Sequence, residues 1–117
     1  VSASYIMKAF TDGTVDKNEI INFFNEPEIA VMKKTKKKGE KAVNLQDYIR
    51  SWEISEVTEK DFSLNVTVDA GGERNLKPEL LSSAIGNYLK SVIIDDWDIH
   101  RTQIFRKTED DIMEIFS

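Results

Sequence analysis

From Phe62 to Val68 apolar and polar residues alternate without a break. Phe62, Leu64, Val66 and Val68 fall on one side, and Ser63, Asn65 and Thr67 on the other. Successive side chains of a strand point to opposite faces, so this segment is a strand with one face in a core and the other toward solvent or a partner. A strand of that kind needs a second layer over its apolar face. Two segments carry suitable helical stripes: Ile20, Ile21, Phe23 and Phe24 in one, and Leu80, Leu81, Ala84, Ile85, Tyr88 and Leu89 in the other.

The helix boundaries are written in the flanking residues. Asp16 and Glu19 have capping-box spacing, with Asp in place of the usual Ser or Thr, and Val15 and Ile20 have the spacing of a hydrophobic staple. The first helix therefore begins at about Lys17. Pro27 disfavours helical geometry at Glu26, which limits the helix to about ten residues. Pro78 is placed as the first residue of the second helix, where its missing N–H has no intrahelical partner to lose.

Between and around the helices the chain reads as extended. In Ser2 to Phe10, Tyr5, Met7 and Ala9 alternate with Ile6 and Phe10, which predicts a strand buried on both sides. Ile29 to Thr35 and Ala42 to Leu45 flank a Lys38-Gly39-Glu40 turn and predict a β-hairpin with a charged tip. Residues 46–50 are ambiguous between a helical turn and a bend, Trp52 to Ser55 is extended, and so is Trp97 to Arg106. Thr108 and Asp111 can start a short C-terminal helix carrying Ile112, Ile115 and Phe116. With the hairpin set aside, the order is βαββαβ. The expected fold is therefore α+β: a ferredoxin-like sandwich with an extra lysine-rich β-hairpin and a short C-terminal helix.

Residues 1–117 suffice for one core and would leave two halves each near the marginal size, so a single domain is expected. Val1 stands where a complete chain has Met, which reads as a fragment of a larger protein. The composition, 40% hydrophobic and 32% charged, is that of a folded globular chain. No apolar run approaches the length of a membrane span and no signal-peptide pattern is seen, which predicts a cytoplasmic protein with no membrane contact. The absence of cysteine agrees with that compartment and excludes disulfides, zinc-thiolate sites, iron–sulfur clusters and thiol catalysis within these residues.

Charge is unevenly distributed. The net charge is −5, yet Lys33, Lys34, Lys36, Lys37, Lys38 and Lys41 face a single glutamate in their stretch, a local +5 that leaves −10 elsewhere. A two-stranded ribbon with these lysines could lie along a nucleic-acid backbone, RNA included. The bland alternative is a solvated tip whose lysines discourage edge-to-edge pairing, and no aromatic residue interleaves the run to favour RNA further.

Other clusters carry less. His100, Arg101 and Thr102 place an imidazole beside a permanent cation and a hydroxyl, but strand alternation separates Arg101 from the other two and no nucleophile is identified nearby. An ordering or binding role for His100 and Arg101 is preferred to catalysis. Asp95, Asp96 and Asp98 could ligate a hard cation, although EF-hand spacing is missing and a solvated loop is the simpler reading. Gly71, Gly72 and Arg74 before a helix hint at an anion site, but the P-loop and dinucleotide patterns are absent and a plain loop is preferred. Trp52 and Trp97 are core residues or exposed anchors, core being preferred.

Lys33 to Ile49, with its lysine-rich turn followed by Val43-Asn44-Leu45-Gln46-Asp47-Tyr48-Ile49, begins a series of short motifs. Asn75-Leu76-Lys77-Pro78-Glu79-Leu80-Leu81 leads to Ile85-Gly86, and His100-Arg101-Thr102-Gln103-Ile104-Phe105 follows. In this order they resemble the C-terminal half of the bacterial radical-SAM-linked proteins, a family of unknown function. The resemblance implies an accessory, non-enzymatic domain whose partner, a radical-SAM protein, carries the redox chemistry. No cofactor is then expected in this chain. The family pattern has an acidic residue and an arginine in the stretch corresponding to Asn44 to Ile49, where Asn44 and Gln46 stand here. The family's N-terminal half is not represented. Two other functions stay open: a protein–protein or dimerisation module without nucleic-acid contact, and half of an enzyme active site using His100 with an aspartate from Asp95 to Asp98.

Overall fold

The computed structural model describes residues 2–35, 39–70, 76–107 and 113–116. The elements are β1 (Ser2–Thr11), α1 (Lys17–Asn25), β2 (Ala30–Thr35), β3 (Gly39–Asn44), a 3-10 turn (Leu45–Asp47), β4 (Ile49–Val57), β5 (Asp61–Asp69), α2 (Pro78–Tyr88), β6 (Ile94–Lys107) and β7 (Met113–Phe116). The main sheet runs β4-β5-β1-β6, with β7 added beside β6, and every pairing in it is antiparallel. β4 and β1 flank β5, and β5 and β6 flank β1, so each helix crosses between parallel strands one position apart. This is the expected βαββαβ order, with β2 and β3 inserted as a separate two-stranded ribbon.

Alternation along the central strands defines the core. Phe62, Leu64, Val66 and Val68 of β5 are buried beside Ala3, Tyr5, Met7 and Ala9 of β1. Ile20, Phe23 and Phe24 of α1 and Leu81 and Ile85 of α2 close over them. Each large apolar side chain so buried is worth about 1.5–3 kcal/mol. Phe23 joins the helices through an edge-on contact with Tyr88 at 5.4 Å between ring centroids. Trp52 stacks on Phe24 at 4.4 Å and 10°, and Trp97 meets Phe62 edge-on at 5.8 Å, so both tryptophans belong to the core margin.

The opposite face of the sheet is open, which corrects the reading of β1 as buried on both sides. Ile6 and Phe10 are 41% and 38% exposed, whereas Met7 and Ala9 have no exposed surface. Both helices cover the same side, and nothing among the described residues covers the other. The expected C-terminal helix is also corrected. Met113–Phe116 is a strand paired with Ile104–Lys107, and residues 108–112 lie outside the described residues. A short apolar run fits either period, and the free edge of β6 offers backbone partners that an isolated turn of helix lacks.

The helix start follows its signals with one change. The Asp16 carboxylate accepts from the Asn18 amide at 2.9 Å, and Val15 and Ile20 are both buried, as the staple requires. The Glu19 carboxylate does not close the capping box. It accepts instead from the amides of Lys90 and Ser91, each at 2.9 Å, while the Asp16 amide donates to the Ser91 hydroxyl. These contacts tie the start of α1 to the segment leaving α2.

Candidate nucleic-acid interface

β3 is exposed from Gly39 to Ala42 and half-buried only at Val43 and Asn44, so the ribbon stands away from the body at its tip and is held at its base. Gly39 has φ +75°, a conformation few other residues adopt without strain. Val31 and Val43 lie opposite each other and pack against the core, fixing which face of the ribbon turns inward.

Two polar side chains clamp the base. The Asn44 side-chain carbonyl accepts from the amides of Ile29 at 2.9 Å and Gln46 at 3.1 Å. The Gln46 side-chain amide donates to the carbonyls of Phe24 and Glu26, each at 2.7 Å, satisfying groups at the end of α1. Leu45, fully buried, donates its amide to the Ile29 carbonyl at 2.8 Å. Ribbon, helix end and 3-10 turn are thereby one unit.

Of the candidate lysines, Lys33, Lys34 and Lys41 fall along this ribbon. Lys33 and Lys41 are directly opposite in register, and Lys34 is opposite Glu40. Lys41 is exposed, and the Lys33 ammonium sits 4.9 Å from the centroid of the Tyr48 ring, a cation–π contact. Lys36, Lys37 and Lys38 lie outside the described residues, between β2 and β3 in the chain. Like charges directly opposite on paired strands destabilise the pair, and the Tyr48 contact gives the Lys33 ammonium a place apart from Lys41.

The same end of the sheet carries an ion pair that the sequence reading did not single out. Arg50 makes a two-pronged contact with Asp69, Nε to Oδ1 at 2.6 Å and Nη2 to Oδ2 at 2.9 Å. Asp69 is 6% exposed. Its amide donates to the Tyr48 carbonyl and its own carbonyl accepts from the Leu76 amide. The Asp69 carboxylate, chiefly through its hydrogen bonds, raises the Arg50 guanidinium pKa above its ordinary value. The only sequence signal was Asp69 at the end of the alternating run, where the register puts a charge at a strand terminus.

His100 and Arg101 are not brought together. His100 pairs with Ile6 on the open face and its Nε2 lies 3.0 Å from Asp98 Oδ1, both side chains being more than half exposed. Arg101 pairs with Tyr5 on the helix-covered side. A register shift between Ser4 and Tyr5 skips Thr102, whose hydroxyl donates to the Ser4 carbonyl at 3.2 Å. Asp96 accepts from the Trp97 amide at 2.8 Å, and among the described residues no three His, Asp or Glu side chains are grouped to hold a metal ion. Gly71, Gly72 and Arg74 lie outside the described residues. No described helix is long and apolar enough to cross a membrane.

Fold and site together define an α+β sandwich with one open sheet face and a clamped basic ribbon. The chain belongs to the bacterial family described as "Uncharacterized protein conserved in bacteria (DUF2344)", whose model matches residues 1–78. That description names no radical-SAM protein, nucleic acid or activity. No curated protein and no solved structure matches the chain.

Proposed function

We propose that this chain is a non-enzymatic binding domain that applies its β2–β3 ribbon to the phosphate backbone of RNA. The observation that supports this most directly is the pairing of Lys33 opposite Lys41 on a ribbon clamped at its base and exposed toward its tip. Lys41 is exposed on the part of the ribbon that stands clear of the body, where a polyanion can reach it. Lys36, Lys37 and Lys38 follow in the connection between the strands and lengthen the same basic element. In the wider reading, drawn from the resemblance to radical-SAM-linked proteins, the RNA is presented to a radical-SAM partner in the cytoplasm, and this chain supplies contact rather than chemistry.

The test is a salt titration of binding to a mixed RNA pool. Affinity should fall linearly with salt on logarithmic axes, by about 0.7 of slope for each phosphate neutralised on a single strand. Replacing Lys36, Lys37 and Lys38 with Glu should lower affinity at every salt concentration and flatten the slope by roughly 2. RNA affinity indifferent to the triple replacement would remove the ribbon from the interface.

A further inference from the structure

At the N-terminal end of α2 the surface opens into a depression of about 700 Å³, lined by Tyr5, Lys77, Pro78, Glu79, Ile99 and Arg101. Its floor comes from the helix-covered side of β1 and β6, where Tyr5 and Arg101 are register partners and Ile99 lies two residues before Arg101. We propose that this depression binds a phosphate monoester, the group carried by a free nucleotide or by the 5′ end of an RNA.

Three independent features converge there. The first is Tyr5, whose ring is packed in the core and leaves the residue only 9% exposed. Its hydroxyl has no hydrogen-bond partner among the described residues, none of which leaves a solvent-sealed side-chain polar atom without one, and Tyr5 is among the residues that line the depression. Buried tyrosines usually place that group on a partner. Here Tyr5 stands at the wall of a concave site with no acceptor for its proton among the described residues.

The second feature is the helix terminus. α2 has eleven residues, begins at Pro78 and has Lys77 at its cap position with no side-chain capping bond. Pro78 brings no N–H and the Leu80 amide donates to the Lys77 carbonyl at 3.1 Å, which leaves Glu79 as the first-turn amide without a partner among the described residues, at the positive end of the helix dipole that suits an anion.

The third is charge. Lys77 and Arg101 are both exposed, and neither side chain has an ion-pair or hydrogen-bond partner among the described residues. Among the described lining residues Glu79 is the one carboxylate, against the two cations Lys77 and Arg101. A guanidinium fork, an ammonium, a phenol donor and the Glu79 amide supply enough donors for the several oxygens of a phosphate. Pro78 and Ile99 give apolar wall beside them, suited to the sugar that a monoester carries.

The site does not depend on the ribbon, and the two readings fail separately. The probes are inorganic phosphate and adenosine 5′-monophosphate, followed by amide shifts in nuclear magnetic resonance and by calorimetry, with adenosine as the control. Both phosphates should shift the amides of Glu79, Leu80 and Leu81, adenosine should not, and the Lys36, Lys37 and Lys38 replacements should leave these shifts in place. Tyr5→Phe deletes only an unpartnered oxygen, so its thermal midpoint should match the parent while its affinity for adenosine 5′-monophosphate falls about tenfold. Arg101→Gln, at an exposed position, should weaken binding at least as much. A 5′-phosphorylated RNA competing where its 5′-hydroxyl counterpart does not would identify an RNA end as the source, and competition by neither would leave the free nucleotide. The proposal is overturned if millimolar phosphate and nucleotide leave those amides unmoved, if adenosine binds as well as its monophosphate, or if both variants bind like the parent.

Discussion

The Arg50 guanidinium grips the buried Asp69 carboxylate with two nitrogens while remaining largely open to water itself. The side chains are 59% and 9% exposed respectively. The asymmetry decides what each deletion does. Arg50→Gln takes a two-pronged cation away from a carboxylate in the protein interior, whereas Asp69→Asn leaves a guanidinium that water can still solvate. We expect the arginine replacement to lower the urea midpoint more than the asparagine one, and the double variant to recover part of that loss. Equal losses from the two single variants would show that Asp69 is not effectively buried.

Asn44 is the residue on which the ribbon's base depends. Asn44→Ala removes the acceptor for the Ile29 and Gln46 amides. Leaving a half-buried amide without its partner costs about 1–3 kcal/mol. Equilibrium unfolding should report a loss in that range. Limited proteolysis should show faster cutting within residues 30–44, because Asn44 ties the end of the ribbon to the Ile29 and Gln46 amides at its base. Unchanged stability and an unchanged cutting pattern would mean that the backbone contacts alone hold the ribbon.

Much of this architecture was legible because its causes are local. The alternation from Phe62 to Val68, the Asp16 cap, the Val15–Ile20 staple and Pro78 each state a period or a boundary within a few residues. What could not be read depends on contacts distant in the chain. Ile6 and Phe10 look like core in sequence, and only the placement of both helices on one side leaves them exposed. Glu19 has capping-box spacing, but Lys90 and Ser91, more than 70 residues away, take its carboxylate. The six lysines were evident, while the opposition of Lys33 and Lys41 across a ribbon needed the register. Asn44 and Gln46, which stand where the resembled family has charge, are the clamp at the ribbon base, and nothing in their identity announced the Phe24, Glu26 and Ile29 backbone groups they bind. Asp69 escaped notice because a lone aspartate at a strand end gives no hint of Arg50, 19 residues earlier.

The one-sided burial of β1 makes a sharp contrast between adjacent residues. Met7 has no exposed surface and sits in the core, so Met7→Ala should cost about 2–5 kcal/mol. Ile6 points to the open face, and Ile6→Thr keeps a β-branched residue there, so its effect should stay within about 0.5 kcal/mol. Chemical denaturation of both variants measures the difference. Comparable losses at the two positions would mean that the second face is covered in solution.

Glu19 gives the fold an acid-side weakness. Its carboxylate is held below the ordinary value of 4.5, mainly by hydrogen bonding from the Ser91 side chain, then by the Ser91 and Lys90 amides, with desolvation acting the other way. A carboxyl whose folded pKa is depressed contributes stability that is fully present above its unfolded pKa and lost as pH falls through the folded value. The window therefore opens near pH 4.5 and extends downward. Glu19→Gln keeps an acceptor oxygen for one amide but removes the charge that favours both, and a loss of about 1 kcal/mol near neutral pH is expected for partly solvated charge-assisted bonds. Urea midpoints of parent and variant, measured from pH 7 to pH 3, should stay separated down to about the unfolded carboxylate value and then converge as the parent's Glu19 takes up its proton. The order of events matters: convergence must come from decline of the parent rather than gain by the variant, because only the parent carries the titrating group. Parallel curves across the whole range would show that the Lys90 and Ser91 amides bind Glu19 no better charged than neutral, and that the tie between α1 and the segment after α2 rests on shape alone.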